Sequence, residues 1–324
     1  MFKTKYIARK IGQLLLTLYI IATVNFLLFR VLPGGPLKLI ARAGHLSADA
    51  VVRLEVLFGL DKPLGIQYLI YLKNIVMGQF GISIVYRRDV IDVISERFLN
   101  TLLLLAVATV IVIIIGIGFG VISAMRRGGK ADRIFVVSSM VGWSLPTFWT
   151  GLMLIMVFGV YLHVLPISGI VTPGLDHGSA GALIADYARH LVLPTIALVI
   201  VDMAQFFLIT RNSLIEVLTE DYILTARSKG LSPNMILWKH ALPNAMLPII
   251  TTMALYVSLV IGGAIQVETV FSYPGMGQLM FDSVLKRDYP ILEASFFLLA
   301  MVTVFANFIS DILYMIVDPR VKSI

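Results

Sequence analysis

Six long apolar stretches limit what this chain can fold into. Each has about 20 residues or more, the length that an α-helix needs to cross the hydrocarbon core of a bilayer. They cover residues 11–31, 102–125, 136–162, 190–210, 246–267 and 292–316. With 58% hydrophobic and 14% charged residues, the chain is also far too apolar for a soluble domain of its length. We therefore predict an all-α polytopic membrane protein with six transmembrane helices.

Basic residues predict the orientation of these helices. They cluster before the first apolar stretch and in the first short loop: Lys3, Lys5, Arg9, Lys10, Arg126, Arg127, Lys130 and Arg133. The positive-inside rule places both clusters in the cytoplasm. With six spans, the N- and C-termini are then both cytoplasmic. The net charge of +7 is explained by this topology and requires no nucleic-acid partner.

The predicted topology divides the chain into three parts. Residues 1–31 form the cytoplasmic N-terminus and the first span, and residues 32–101 form an external helical domain between helices 1 and 2. Residues 102–324 form a core of five spans, which includes a long cytoplasmic loop at 211–245. Capping and turn residues predict short external helices near 48–58, 64–77 and 90–99.

Two spans contain residues that affect helix packing. In span two, Gly116 and Gly120 have the spacing of small residues that lets helix backbones approach closely. In span three, Pro146 removes an internal hydrogen bond and should kink or break the helix. Broken helices often line cavities. Pro146 and the aromatic residues that flank it are therefore candidates either for a substrate path or for an interfacial belt: Trp143, Phe148 and Trp149.

The long cytoplasmic loop contains a polar segment at residues 221–248, between two very apolar stretches. Its residues predict a helix that Gly230 ends, followed by a second helix with Ser232 as N-cap and Pro233 in the first position. The second helix should run to Leu242, before Pro243. A helical hairpin of this kind could be a simple connector between spans.

The sequence of this hairpin resembles that of a known family. The run Thr225 to Leu231, with Ala226, Gly230 and then Leu242-Pro243, is similar to the cytoplasmic EAA loop of permease subunits of ATP-binding cassette importers, in the form found in their peptide and nickel branch. Other runs in the chain resemble the same branch: 32–36, 58–63, 78–81, 101–103, 267–277, 287–290 and 318–320.

The resemblance implies the type I importer permease fold and a set of partners. These are a second homologous permease, two cytoplasmic ATPases that bind ATP and Mg, an external solute-binding protein and the lipid bilayer of a prokaryotic inner membrane. It also implies that the hairpin is the coupling helix that docks on an ATPase. The residues we assign to this coupling loop are Asp221, Thr225, Ala226, Arg227, Lys229, Gly230, Ser232, Pro233, Leu242 and Pro243.

No chemistry of its own is predicted for this chain. The run Gly128-Gly129-Lys130-Ala131 lacks the earlier glycine and the hydroxyl of a phosphate-binding loop, so the chain is not the ATPase. Its five histidines form no metal-ligand or general-base pattern, and it has no cysteine. We expect no catalytic residue, cofactor or metal here.

The segment after span five is predicted to form an outer gate. Glu268 ends the span, and Pro274-Gly275 should force a turn, which would make a rigid element at the outer mouth. The gate candidates are Glu268, Phe271, Tyr273, Pro274 and Gly275.

Several alternatives remain at this stage. Di- or oligopeptides are the first expectation for the substrate, with nickel complexes, glutathione or oligosaccharides as alternatives. An ion-coupled secondary transporter or a membrane scaffold would be a different class of protein. Asp202 and Asp311 lie within predicted spans, so each is either an ion or proton site or a carboxylate that is paired or near a membrane edge.

Overall fold

The computed structural model describes residues 2–31 and 61–317, and gives the backbone alone for 2–5, 31, 251, 254–255, 257–263 and 313–317. The helices, numbered in chain order, are α1 (Phe2–Val31), α2 (Leu64–Val76), α3 (Val90–Met125), α4 (Lys130–Ser144), α5 (Thr147–Leu154), α6 (Ala180–Val217), α7 (Asp221–Ser228), α8 (Pro233–Met235), α9 (Leu242–Val270), α10 (Met276–Lys286) and α11 (Tyr289–Val317). Two π-helical segments, Ile155–Tyr161 and Ile236–Ala241, continue α5 and α8.

All six apolar stretches are helical over most of their length, as predicted. Among the described residues, α1, α3, α6 and α11 are long and apolar enough to cross a membrane. The pair α4 and α5 makes a fifth span if it is counted as one, although it is bent by 103° at its break. The stretch 246–267 falls within α9, which has 29 residues.

The prediction of the external helices is partly correct. The helix predicted over 64–77 is α2, and the one predicted over 48–58 lies outside the described residues. The helix predicted over 90–99 is wrong as a separate element, because α3 runs without a break for 36 residues into the second span. Asn100 and Thr101 do not stop it, since their side chains bond to other segments: Asn100 Nδ2 donates to the Pro274 carbonyl, and Thr101 Oγ1 accepts from the Met276 amide.

Close contacts group the chain into two compact units, residues 1–101 with 274–308, and residues 102–273 with 309–324. In the first unit, side chains of α3, α10 and α11 form an apolar core, which contains Val90, Val93, Ile94, Met276, Leu279, Ile291 and Ala294. In the second unit, α3, α6 and α9 supply most of the core, with Leu104, Phe206 and Tyr256 among its buried side chains.

In the second unit, α3 and α6 pack with their backbones in near contact. A Cβ atom added to Gly116 would lie 2.6 Å from Phe206 Cβ, and one added to Gly120 would lie 2.6 Å from Thr210 Cβ. Carbon atoms do not approach this closely without displacement, so only glycine fits at either position. The predicted packing role of this glycine pair is confirmed.

Substitution of these glycines provides a test of the contact. We expect Gly116→Ala and Gly120→Ala each to lower the free energy of unfolding by about 1–3 kcal/mol, because the added methyl forces α3 away from α6. Gly118→Ala is the matched control on the same helix, since among the described residues no atom lies within 4 Å of the place that its methyl would take. Thermal unfolding in detergent measures all three; equal midpoints would contradict the proposed constraint.

Candidate functional site

The polar hairpin between α6 and α9 has the turn that its sequence predicts. Gly230 has φ +75°, in the left-handed region that favours glycine, and its amide donates to the Arg227 carbonyl at 2.9 Å. Ser232 then caps the next helix, as its Oγ accepts from the Met235 amide at 3.3 Å, with Pro233 in the first position. A helix, a tight turn and a second helix are therefore confirmed.

The second leg of the hairpin does not end where the sequence predicts. The π-helical segment Ile236–Ala241 leads directly into α9, which starts at Leu242. Pro243 is the second residue of α9 and follows the π-helical segment closely, so its missing amide hydrogen does not interrupt the helical path. The prediction that a helix stops before Pro243 is thus wrong, and this leg continues into the membrane helix.

The base of the hairpin is anchored to the ends of three long helices. Ile223 and Ala226 of α7 are buried, as are Ile236 and Leu237 of the second leg. They form one apolar cluster with Ala124 of α3, Leu214 of α6, and Ala241 and Ala245 at the start of α9. Movement of the hairpin must therefore either carry these helix ends with it or break this packing.

The opposite face of the hairpin is exposed and partly apolar. Of the ten residues predicted for the coupling loop, Ala226 is buried and Leu242 is half-buried, so both belong to the base, while the other eight are exposed. Sequence reasoning missed four large exposed side chains on this face: Tyr222, Leu224, Met235 and Trp238. Trp238 is 63% exposed. Apolar side chains within so polar a loop were the signal that could have identified them.

A buried ion pair lies beside the hairpin base and was not foreseen from the sequence. Arg211 of α6 binds Asp132 of α4 with two hydrogen bonds, from Nε at 2.7 Å and from Nη2 at 2.9 Å. Ser123 of α3 donates to the same carboxylate, and so does the Gly128 amide in the first loop, at 2.8 Å. One carboxylate thus joins α3, the loop after it, α4 and α6.

The gate candidates Glu268, Phe271 and Tyr273 are buried at the end of α9. The chain turns at Phe271 and Ser272, where Ser272 has φ +46°, and the Tyr273 amide donates to the Glu268 carbonyl at 2.8 Å. The chain thus turns two residues before Pro274-Gly275 and bends again at Gly275, so the predicted change of direction lies in this segment but begins earlier. Burial raises the pKa of the Tyr273 hydroxyl, and the charge of Glu268 raises it further.

The remaining gate candidates lie at the start of α10 and not at the end of α9. Pro274 and Gly275 belong to the first unit, where Gly275 precedes α10 and the Pro274 carbonyl accepts from Asn100 at 2.8 Å. In the second unit, the Phe271 carbonyl accepts from the Gly169 amide at 3.0 Å, which joins the end of α9 to the loop before α6. Asp186 of α6 holds the same loop by accepting from the Thr172 amide at 2.7 Å.

The break in the third span occurs at the predicted residue. Leu145 and Pro146 are extended, and the chain bends by 103° between α4 and α5. The aromatic path candidates Trp143, Phe148 and Trp149 are all exposed in this chain. They are thus available to line a path, to face lipid or to contact another subunit.

The acidic residue of the fourth span is paired. Tyr256 of α9 donates to Asp202 Oδ2 at 2.6 Å, while Arg211, further along α6, binds Asp132. Asp202 is therefore hydrogen-bonded to a tyrosine and is not paired with Arg211, and its role as an ion or proton site stays a prediction. Within residues 2–31 and 61–317, no group of three or more His, Asp or Glu side chains is placed to hold a metal ion.

Family models match nearly the whole chain. A model described as "Binding-protein-dependent transport system inner membrane component" matches residues 116–323, and the model of the N-terminal part of such membrane components matches residues 1–106. The chain belongs to this family. It is therefore a transport component and a multi-pass membrane protein.

Several curated relatives match this inner membrane component over nearly their full lengths. The oligopeptide transport system permease protein AppB of Bacillus subtilis is 40% identical over 98% of this chain and 99% of the relative. The di/tripeptide permease protein DppB of Pseudomonas aeruginosa and the glutathione permease protein GsiC of Escherichia coli are each 37% identical, over 98% of both chains. The matched regions therefore include spans and loops alike.

A solved structure supports the fold of this inner membrane component. The structure, titled as inward-facing conformations of the MetNI methionine ABC transporter, contains a chain that aligns with a TM-score of 0.57. The alignment covers 70% of this chain and 97% of the other, at 17% identity. The predicted type I importer permease fold is confirmed.

Removal of the buried ion pair should destabilise the inner ends of these helices. We expect Asp132→Asn to lower the free energy of unfolding by about 1.5–3 kcal/mol, because it removes the charged acceptor of two hydrogen bonds from the partly buried Arg211 guanidinium. Glu216→Gln removes an exposed acid from the same helix as Arg211 and is the control. Chemical unfolding in detergent measures the free energy of unfolding of both variants. Equal losses would show that the ion pair stabilises the protein no more than an exposed acid does.

Proposed function

We propose that this chain forms half of the translocation pathway of an ATP-driven importer in a prokaryotic inner membrane. The observation that carries the proposal is the two-sided hairpin, whose base packs on the ends of α3, α6 and α9 and whose opposite face is exposed. Such an element can receive force from a cytoplasmic partner and transmit it to the membrane helices. A simple connector would need no exposed apolar face.

The partner on this face is proposed to be an ATPase subunit. Exposed large apolar side chains such as Leu224 and Trp238 mark interaction sites more often than free surface. In this assembly two ATPases bind ATP and Mg and hydrolyse the ATP, while this chain and a second homologous permease enclose the path. The chain itself is a non-catalytic subunit.

The proposed substrates are di- or oligopeptides that an external solute-binding protein delivers. Relatives matched over nearly their full length are named for oligopeptide, di/tripeptide and glutathione transport, and all of these substrates are peptides. Nickel complexes and oligosaccharides are not favoured by these names. Glutathione remains the alternative within the same chemical class.

The proposed transport cycle uses the packing at both ends of α9. ATP-driven closure of the ATPases moves the hairpin, and the buried cluster passes this movement to α3, α6 and α9. At the other end of α9, Glu268, Phe271 and Tyr273 are buried together and joined to the loop before α6 through Phe271. We propose that a shift of α9 loosens this segment and opens the outer mouth.

Purification from the native membrane tests the assembly. The chain is extracted in mild detergent, and mass spectrometry identifies the proteins that accompany it. Two ATPase copies and a second six-span permease are the expected result, and uptake of a labelled dipeptide by the reconstituted complex with its binding protein tests the substrate. A chain that purifies alone would contradict the assembly; a complete complex that imports no peptide would contradict only the substrate.

The turn at Gly230 allows a sharper test of coupling. Gly230→Pro should abolish peptide uptake while leaving the protein inserted, because proline cannot adopt φ +75° and lacks the amide that donates to Arg227. Gly230→Asn is the matched control, since asparagine tolerates the left-handed region and, among the described residues, no atom lies within 4 Å of its Cβ position.

Two measurements on each Gly230 variant separate coupling from assembly. They are the amount of ATPase that copurifies with the chain and the uptake rate per inserted complex. We expect both to fall for Gly230→Pro and both to stay close to the unmodified protein for Gly230→Asn. Normal uptake by an inserted Gly230→Pro variant would contradict the proposed role of the hairpin.

A further inference from the structure

The short helix α2 packs against the first membrane helix through two tyrosines. The Tyr68 hydroxyl lies 2.7 Å from Thr23 Oγ1, and Asn25 Nδ2 donates to the Tyr71 hydroxyl at 2.9 Å. The Phe26 ring contacts both tyrosine rings, with centroid distances of 5.2 and 5.4 Å. The inner side of α2 is thus fixed to one short section of α1.

This section of α1 lies at the level of the bilayer. The span of α1 extends from Tyr6 to Arg30, and the basic N-terminus places Arg30 at its outer end. With a rise of about 1.5 Å per residue, Thr23 lies about 10 Å inward from Arg30. Half the hydrocarbon thickness is about 15 Å, so this section falls in the outer leaflet.

Contacts with α11, the last membrane helix, also place α2 beside the outer part of a membrane span. Tyr71 and Asn74 of α2 line a small cavity together with Glu293 and Phe297 of α11. The apolar stretch of α11 begins at residue 292, which places Glu293 at its outer edge and Phe297 about 7 Å inside it. Asn25 of α1 contacts both of the other helices, because it donates to the Tyr71 hydroxyl of α2 and also to the Glu293 carbonyl of α11 at 2.9 Å.

The other side of α2 exposes large apolar side chains. Leu69 is 66% exposed and Val76 is 87% exposed, and the exposed side also includes Ile66 and Met77. Lys73 lies between Leu69 and Val76 on the same exposed stripe. A lysine on an apolar stripe fits a helix near a membrane surface, because its stem can lie along lipid while the ammonium reaches the headgroups.

We propose that α2 is embedded in the outer leaflet and that its exposed face, defined by Ile66, Leu69, Val76 and Met77, contacts lipid acyl chains. This region was predicted to belong to an external domain. Lipid is the occupant that this position favours, because α2 contacts the outer parts of the apolar stretches of both α1 and α11. The tyrosines on its inner side also suit the boundary between hydrocarbon and headgroups. The proposal does not depend on the substrate or on the ATPase.

Site-directed spin labelling tests this directly, since the natural chain has no cysteine and each single-cysteine variant carries one label. The full chain is reconstituted in lipid nanodiscs with a label at Leu69→Cys or Val76→Cys. Relaxation by oxygen, which concentrates in lipid, is compared with relaxation by a water-soluble nickel chelate. Leu16→Cys, on the exposed side of α1, is the lipid control, and Leu175→Cys, an exposed leucine in the loop before α6, is the water control.

We expect both α2 labels to behave like the Leu16 label, with strong oxygen relaxation and loss of the nickel effect seen at Leu175. Nickel access equal to that at Leu175 would place the exposed face in water and overturn the proposal. Protection from both relaxants would mean that protein covers this face, which also overturns it. If a labelled variant fails to insert, Leu69→Trp in lipid with brominated acyl chains gives a second readout. The emission of the added tryptophan is measured against that of the unmodified chain. Quenching of this emission by the bromine supports lipid contact, and the absence of quenching contradicts it.

Discussion

The structure depends on the requirement that backbone polar groups inside a bilayer find hydrogen-bond partners within the protein. A long uninterrupted helix such as α3 meets this requirement without help. Where a helix is interrupted, other hydrogen bonds must satisfy the backbone groups that lose their helical partners. The break before Pro146 keeps a hydrogen bond from the Leu145 amide to the Gly142 carbonyl at 3.3 Å, and the turn after α9 keeps one from the Tyr273 amide to the Glu268 carbonyl at 2.8 Å.

Within hydrocarbon there is little hydrophobic gain from bringing helices together, so close packing and polar contacts must hold them. The second unit uses both. Gly116 and Gly120 let α3 approach the backbone of α6, and further along the same pair of helices Asp132 binds Ser123 of α3 and Arg211 of α6. The glycines give contact area, and the ion pair fixes the position of the helix ends along their axes. The glycine spacing was visible in the sequence, whereas no local pattern identifies an ion pair whose partners are 79 residues apart.

Features that depend on local sequence could be predicted well. The break at Pro146 and the left-handed turn at Gly230 each follow from the conformational limits of one or two residues. The continuity of α3 could not be predicted in this way, because Thr101 looks like a boundary but its side chain bonds to the Met276 amide, 175 positions away. Within the candidate site, eight of the ten predicted hairpin residues are exposed, but the four large exposed apolar side chains were not identified. The buried base of the hairpin was not identified either, because burial there depends on contacts with other helices, such as that of Leu214.

The two legs of the hairpin join the membrane helices in different ways, and this affects what its movement can do. The first leg, α7, is separated from α6 by a turn at 218–220, which can bend. The second leg runs through the π-helical segment Ile236–Ala241 into α9 with no intervening turn. Force applied to the exposed face should therefore reach α9 along a continuous helical path, whereas it reaches α3 and α6 only through side-chain packing. On this argument we propose that α9, whose outer end lies beside the buried residues Glu268, Phe271 and Tyr273, is the helix that links the hairpin to the outer mouth.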